Sequence, residues 1–441
     1  MLDRWFGRVG FTLINALPAW QLAERLAQRN LSAVDVARAF LDQIELREGA
    51  VHSFAYVDPD AVMAQARVMD AGPLRGPLHG LPFGVKDLFD TADMPTAYGS
   101  PIYSGHHPAA DAAAVALCKE AGALVMGKTV TTEFAYFNPG PTRNPHDLAH
   151  TPGGSSSGSA AAVADRMVPL ALGTQTAGSI IRPAAYCGVV GYKPSHGRVP
   201  RAGVKSLSET LDTVGGFGRC VRDVALLGSV LTGDSSLLTA VQTLSDSGRS
   251  LRMGVCRTPE WPLADVDTQR LLEQAIRALA PQLHSFAEVE LPPDMPDLVA
   301  LQKQVMAFEM TRALSHERLG HRGQLSPQLR GLFDAGIRIP GADHAANLLA
   351  TAQAHRSANT LFDDCDVLLA PSVTGEAPLG LDATGDPLFC RGWTLLGLPC
   401  IHLPFFKGQH GLPMGLQLVG RFGADAELLA AAQWVHERLQ D

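Results

Sequence analysis

The stretch Thr151–Arg182 constrains this chain more than any other. It reads T-P-G-G-S-S-S-G-S-A-A-A-V-A, then an apolar bridge, then L-G-T-Q-T-A-G-S-I-I-R-P-A-A. Gly153, Gly154 and Gly158 release the backbone from the usual limits on φ, so the chain can turn sharply and be approached closely. Ser155, Ser156, Ser157 and Ser159 crowd that backbone with hydroxyls, and Thr174, Thr176, Gly178 and Ser179 repeat the chemistry. Two hydroxyl-rich turns joined by Ala160–Leu172 predict two loops brought to one point by a short buried helix and strand. A serine becomes a useful nucleophile only when a base takes its proton. No histidine lies between Thr151 and Arg182, so the base comes from elsewhere.

Upstream, G-L-P-F-G-V-K-D reads as a buried strand that carries Lys86. Burial disfavours the ammonium form and lowers its pKa, which is how a lysine becomes a general base near neutral pH. The plain alternative is a surface pair between Lys86 and Asp87. His146 and His150, just ahead of the first serine loop, are the candidates for a conventional Ser–His pair. They rank below lysine, since histidines beside proline and glycine in loops are usually solvated.

Taken together, G-V-K-D, G-G-S-S-S-G-S-A-A-A-V-A and G-T-Q-T-A-G-S-I-I-R-P-A-A-Y-C-G resemble the amidase signature family, whose members hydrolyse amides with a serine–serine–lysine triad. Ser155 follows Lys86 by 69 residues and Ser179 follows Ser155 by 24, spacings that fit the family. Each motif alone is weak; three in order are strong. The likeness is greatest to malonamidase-like members, through A-D-M-P-T-A-Y-G-S-P-I-Y-S-G, N-P-H-D-L-A-H-T-P-G-G-S-S-S-G-S and T-G-D-P. It runs from about Leu13 onward and is thinnest around Leu231–Leu361. The resemblance implies Lys86 as base, Ser155 as bridge and Ser179 as nucleophile, with a cis peptide between Gly154 and Ser155. It also implies an oxyanion hole from the backbone N–H groups of Thr176, Ala177, Gly178 and Ser179. Ser156, Ser157 and Ser159 are expected to support the loop. No cofactor or metal enters this chemistry, and water completes it.

Arg182 stands three residues after Ser179, where malonamidase-like members carry an arginine that helps bind a substrate carboxylate. The same pattern has a glutamine two residues before an F-E pair. Here that pair is Phe308-Glu309 and the position holds Met306, which cannot donate a hydrogen bond. Arg182, Met306 and Gly154 are therefore the expected substrate-binding positions, around a roomier, less polar pocket. Neutral amides, aryl amides, esters or carbamates are the expected substrates. A glutamine-hydrolysing amidotransferase A-type subunit working in a complex is the alternative. A non-catalytic binding protein with the same fold is a third reading, disfavoured by the intact Lys86, Ser155 and Ser179.

Short apolar strands (Leu81–Val85, Ala123–Met126, Val168–Leu172, Val189–Tyr192) alternate with helical stretches such as Ala110–Ala121, which predicts an α/β architecture. The family resemblance makes it a single-domain fold, with a central twisted mixed β-sheet covered by helices on both faces. An N-terminal arm (1–15), packing on the body or on a second subunit, precedes one domain (16–441). Its motif core spans 78–230 and its variable pocket-roof helices about 298–340. Ser32 with Asp35 reads as a helix-capping pair. Leu231–Arg252 reads as loop, Leu298–Leu319 as one helix, Ala287–Leu291 as a strand, and Trp393–Pro404 as part of the sheet. A net charge of −8 without Lys/Arg clusters argues against nucleic acid, and the absence of a long apolar run against a signal peptide or membrane anchor. Seven cysteines without a C-x-x-C pair read as buried reduced thiols of a cytoplasmic protein, with a homodimer as a candidate assembly.

Overall fold

Runs of β-branched and apolar residues bounded by glycine and proline supply one sheet, seen in a computed structural model that describes residues 13–243 and 251–439. Among these residues the strands are β1 (Phe54–Tyr56), β2 (Pro82–Lys86), β3 (Leu124–Thr129), β4 (Leu170–Gln175), β5 (Val190–Lys193), β6 (Thr213–Gly218), β7 (Arg252–Val255), β8 (Ser285–Glu288), β9 (Val367–Pro371), β10 (Cys400–Lys407) and β11 (Pro413–Gly420). Their order is β1-β3-β2-β4-β6-β5-β10-β11-β9-β7-β8. β2 runs parallel to both β3 and β4, while β4–β6 and β5–β10 are antiparallel, so the sheet is mixed.

Side chains alternate between faces along a strand, and the core divides accordingly. Leu368, Ala370, Cys400 and Val419 join one apolar cluster with the helices Ala33–Val51, Ser157–Ala164 and Leu298–Ala313. Val367, Leu369, Ile401, Leu403 and Leu418 join another with the helices Val221–Thr232, Val266–Leu279 and Asp425–Leu439. Helices thus cover both faces.

The helix Ser157–Ala164 is small-residue sequence because it has no room for more. A Cβ on Gly158 would strike the Ser53 carbonyl oxygen and the Val130 nitrogen. Ser32 caps its helix as expected, accepting from the Asp35 N–H at 3.0 Å.

Four expectations need correction. Leu231–Arg252 contains a helix, Ser236–Thr243, because Leu237 and Val241 have a core to enter. The helix expected over Leu298–Leu319 breaks at Leu314 into Leu298–Ala313 and Ser315–Gly320. Trp393 belongs to a helix, Leu388–Leu395, and the strand begins only at Cys400. The strand expected at Ala287–Leu291 lies earlier, at Ser285–Glu288, since β8 takes its register from β7. Six of the seven cysteines are buried, and Cys220 is partly exposed. Apart from residues 13–15, the expected arm lies outside the described residues. Among those residues no helix is long and apolar enough to cross a membrane.

Candidate active site

Parallel strands deliver their C-terminal ends to one edge of a sheet, where α/β proteins carry their chemistry. β2 ends on Lys86 and its parallel neighbour β4 ends on Gln175, one residue after Thr174. The two glycine–serine turns open beside this edge. Ser155 immediately precedes the turn into the helix Ser157–Ala164, and Ser179 the turn into Ile181–Cys187. Gly153 has a φ of 79°, a left-handed conformation that glycine adopts without penalty, and the Gly154–Ser155 peptide is cis.

Lys86 Nζ lies 2.8 Å from Ser155 Oγ and 2.7 Å from Thr174 Oγ1. The lysine is 0% exposed. Burial holds its pKa well below the ordinary lysine value, partly opposed by the nearby Asp212 carboxylate. Asp87 does not pair with Lys86; it faces Lys128, 3.2 Å away in the core. Asp212 is itself buried and its pKa raised by that burial, while Thr176 Oγ1 (2.7 Å) and the N–H groups of Leu207 and Ser208 donate to it.

Ser179 Oγ makes no hydrogen bond among the described residues and opens on a small cavity. Geometry between nucleophile and base is often looser before substrate arrives. The other serines hold the scaffold. Ser156 Oγ donates to the Thr174 carbonyl, Ser157 Oγ to that of Val130, and Ser159 Oγ to that of Leu172. His146 Nε2 bonds the Cys187 carbonyl at 2.9 Å and His150 pairs with Asp147 at 3.2 Å, so neither histidine is bonded to a serine.

Around Ser179 the cavity is lined by Tyr136, Phe137, Arg182, Leu207, Met306 and Met310, with Ala135, Thr176 and Ala177. Apolar side chains dominate, as the exchange of glutamine for Met306 leads one to expect. The expected roominess is not present: the volume is about 10 Å³, space for about one water. Methionines are flexible enough to make way. Arg182 is buried and bonded to backbone. Its Nε and Nη2 donate to the Gly154 carbonyl at 3.1 and 2.6 Å, and its Nη1 donates to that of Gly385. Gly154 therefore meets Arg182 through its carbonyl and is not part of the cavity lining. A larger cavity of about 370 Å³ reaches Thr174 and Asp212 and is lined also by Arg201, Lys205 and Glu209.

Sequence reasoning missed Asp212, Gln302, Arg391 and Thr394. They lie on segments without motifs and meet the Ser179 turn only in three dimensions, Asp212 at the Thr176 hydroxyl, Gln302 and Thr394 at the Thr176 and Ala177 carbonyls, and Arg391 at Gln302. Among the described residues no group of three or more His, Cys, Asp or Glu side chains could hold a metal.

The fold is a mixed α/β sheet covered by helices on both faces, and comparison gives its family. Residues 35–429 match the family model described as Amidase. The chain belongs to the amidase signature family, whose members act on carbon–nitrogen bonds. It is 34% identical to the A-type subunit of the glutamyl-tRNA(Gln) amidotransferase of Geobacter sp. (strain M21), over 93% of this chain and 95% of that one. It is 42% identical to the same-named protein of Acidothermus cellulolyticus (strain ATCC 43068 / DSM 8971 / 11B), over 62% of this chain and 58% of that protein. A solved structure described as an amidase superposes with a TM-score of 0.85 at 29% identity, covering 96% of this chain and 100% of that one.

Proposed function

We propose that this chain is an amidohydrolase that cleaves the C–N bond of small neutral amides through an acyl-enzyme on Ser179. Aryl amides, esters and carbamates fall to the same chemistry. The observation that carries the reading is Lys86, wholly buried, held low in pKa by that burial and bonded to Ser155, with Ser179 lining a small cavity. Neutral Lys86 accepts the Ser155 proton as Ser155 accepts that of Ser179. Ser179 Oγ bonds the carbonyl carbon, and the carbonyl π pair moves onto oxygen. Collapse breaks the C–N bond while the relay returns the proton to the leaving nitrogen. Water then takes the place of the amine and releases the acid. The reading needs no second kind of chain, and a homodimer in the cytoplasm is compatible with it.

The apolar lining supports neutral acyl groups, and so does Arg182, three of whose donors are held by backbone carbonyls. A second reading, a glutamine-hydrolysing amidotransferase component, is favoured by the names of the relatives. The purified chain alone, assayed for ammonia or amine release, separates the two. Turnover of neutral aryl and alkyl amides is expected, with glutamine and malonamate poor. Hydrolysis of glutamine alone, or none without added partner chains, would sink the first reading.

A further inference from the structure

The turn carrying Ser179 is held beyond the serine by Gln175 Oε1, which accepts from the Ile180 and Ile181 N–H groups at 2.9 and 3.0 Å, and before it by three of its own carbonyls. Gln302 Nε2 donates to the Thr176 carbonyl at 2.9 Å, Thr394 Oγ1 to that of Ala177 at 2.7 Å, and the Arg182 N–H to that of Gly178 at 2.9 Å. The N–H groups of these same peptides belong to Ala177, Gly178 and Ser179, and none has an acceptor among the described residues. In a planar trans peptide C=O and N–H point opposite ways. Each held carbonyl therefore turns the N–H of its own peptide away from the group that holds it.

Two of the three grips are local or come from the helix Leu388–Leu395. The third is different: Gln302 belongs to Leu298–Ala313, outside the motif core, and is 0% exposed. A glutamine amide turned by half a revolution would set oxygen against the Thr176 oxygen. Arg391 forbids this. Its Nη1 donates to Gln302 Oε1 at 2.6 Å, and a guanidinium only donates, so the amide NH₂ must face Thr176. Arg391 is 4% exposed, and its buried Nε has no partner among the described residues. A buried guanidinium with so few hydrogen bonds is costly to keep for packing alone.

We propose that Gln302, locked in one orientation by Arg391, is a positioning residue that aims the Ala177 N–H at the oxyanion formed on Ser179 attack. This rests on the reading of Ser179 as nucleophile. The arrangement also ties substrate to catalysis. Gln302 Nε2 lies 3.6 Å from Met306 Sδ, one helical turn on, and Met306 lines the cavity. An acyl group that moves Met306 acts on the residue that holds the turn.

The experiment compares Gln302→Leu, Arg391→Met and Arg391→Lys with the unmodified enzyme. Its readouts are kcat, KM, and affinity for a boronic acid whose tetrahedral adduct mimics the intermediate. Losing a direct oxyanion donor typically costs about 100–1,000-fold. Misaiming one is expected to lower kcat about 10-fold or more in Gln302→Leu, with KM within about twofold. Boronate affinity should fall in parallel, while binding of unreacted amide to the Ser179→Ala background holds. Arg391→Met should copy the effect and Arg391→Lys, which keeps a donor, should recover most of it. Equal loss of amide and boronate affinity, or unchanged kcat, would overturn the positioning role. Should Gln302→Leu fail to fold, Arg391→Met carries the same comparison. An unmodified enzyme that turns over amide yet ignores the boronate would overturn the Ser179 reading with it.

Discussion

Replacing Lys86 by methionine separates catalysis from folding. Lys86 Nζ has two hydrogen-bonding partners, Ser155 Oγ at 2.8 Å and Thr174 Oγ1 at 2.7 Å, both on buried residues. Each hydroxyl left short of a partner costs about 1–3 kcal/mol. Against that, methionine fills nearly the same volume without an amine to desolvate. The two effects oppose, leaving a net stability change of about 1–2 kcal/mol or less, within a few degrees of Tm for a chain of this size. Activity should fall far more. General-base catalysis alone contributes about 100–10,000-fold, and members of a nucleophilic relay act as a unit whose loss costs more. The assay is kcat/KM on a neutral amide from pH 6 to 10, beside thermal melts. Burial depresses the folded-state pKa of Lys86, so the rate of the unmodified enzyme should climb with pH through one ionisation as neutral amine forms. The unfolded chain then binds more protons than the folded one between the depressed value and the ordinary 10.5, so this residue's contribution to stability also rises with pH in that window. Lys86→Met should lose both slopes. Near-normal kcat/KM in Lys86→Met, or a wild-type rate that peaks below neutrality, would refute the lysine base.

Ser179→Ala should abolish turnover with an unchanged melt, and Ser155→Ala should impair it severely with a melt lowered by a few degrees at most, since Lys86 Nζ loses one of its two partners; the Ser155→Ala/Ser179→Ala double variant should turn over no more slowly than Ser179→Ala, which steady-state kinetics will read. Met306→Gln, assayed on a neutral amide and its carboxylate-bearing analogue, should narrow the preference for the neutral substrate. Gly158→Ala should lower the stability read from urea unfolding by about 1–3 kcal/mol or more, because its Cβ meets the backbone of Ser53 and Val130. A melt indistinguishable from wild type would contradict that packing.

Much of the centre was legible because its residues are local in sequence. Gly153, Ser155 and Ser179 sit in motifs whose composition announces tight turns, and Lys86 ends an apolar strand. Short apolar runs bounded by glycine and proline gave several of the strands, since a strand buried on both faces is continuous apolar sequence. What stayed hidden depends on distant segments meeting. Gln302 and Arg391 carry no motif, and only the fold sets them behind Thr176. Ser236–Thr243 was hidden inside the longer, polar stretch Leu231–Arg252, yet Leu237 and Val241 enter a core the sequence does not display. The cavity volume at Ser179 depends on rotamers of Phe137, Met306 and Met310, which no pattern encodes.

The most direct measurement is covalent. A fluorophosphonate reacts with a serine only where a base activates it, so intact-mass and peptide mass spectrometry locate the nucleophile. One adduct per chain is expected, on the peptide holding Ser179. It should be absent in Ser179→Ala, and strongly slowed in Lys86→Met, whose serine lacks its base. An adduct on another residue, or labelling of Lys86→Met at the wild-type rate, would contradict a Ser179 nucleophile driven through Ser155 by Lys86.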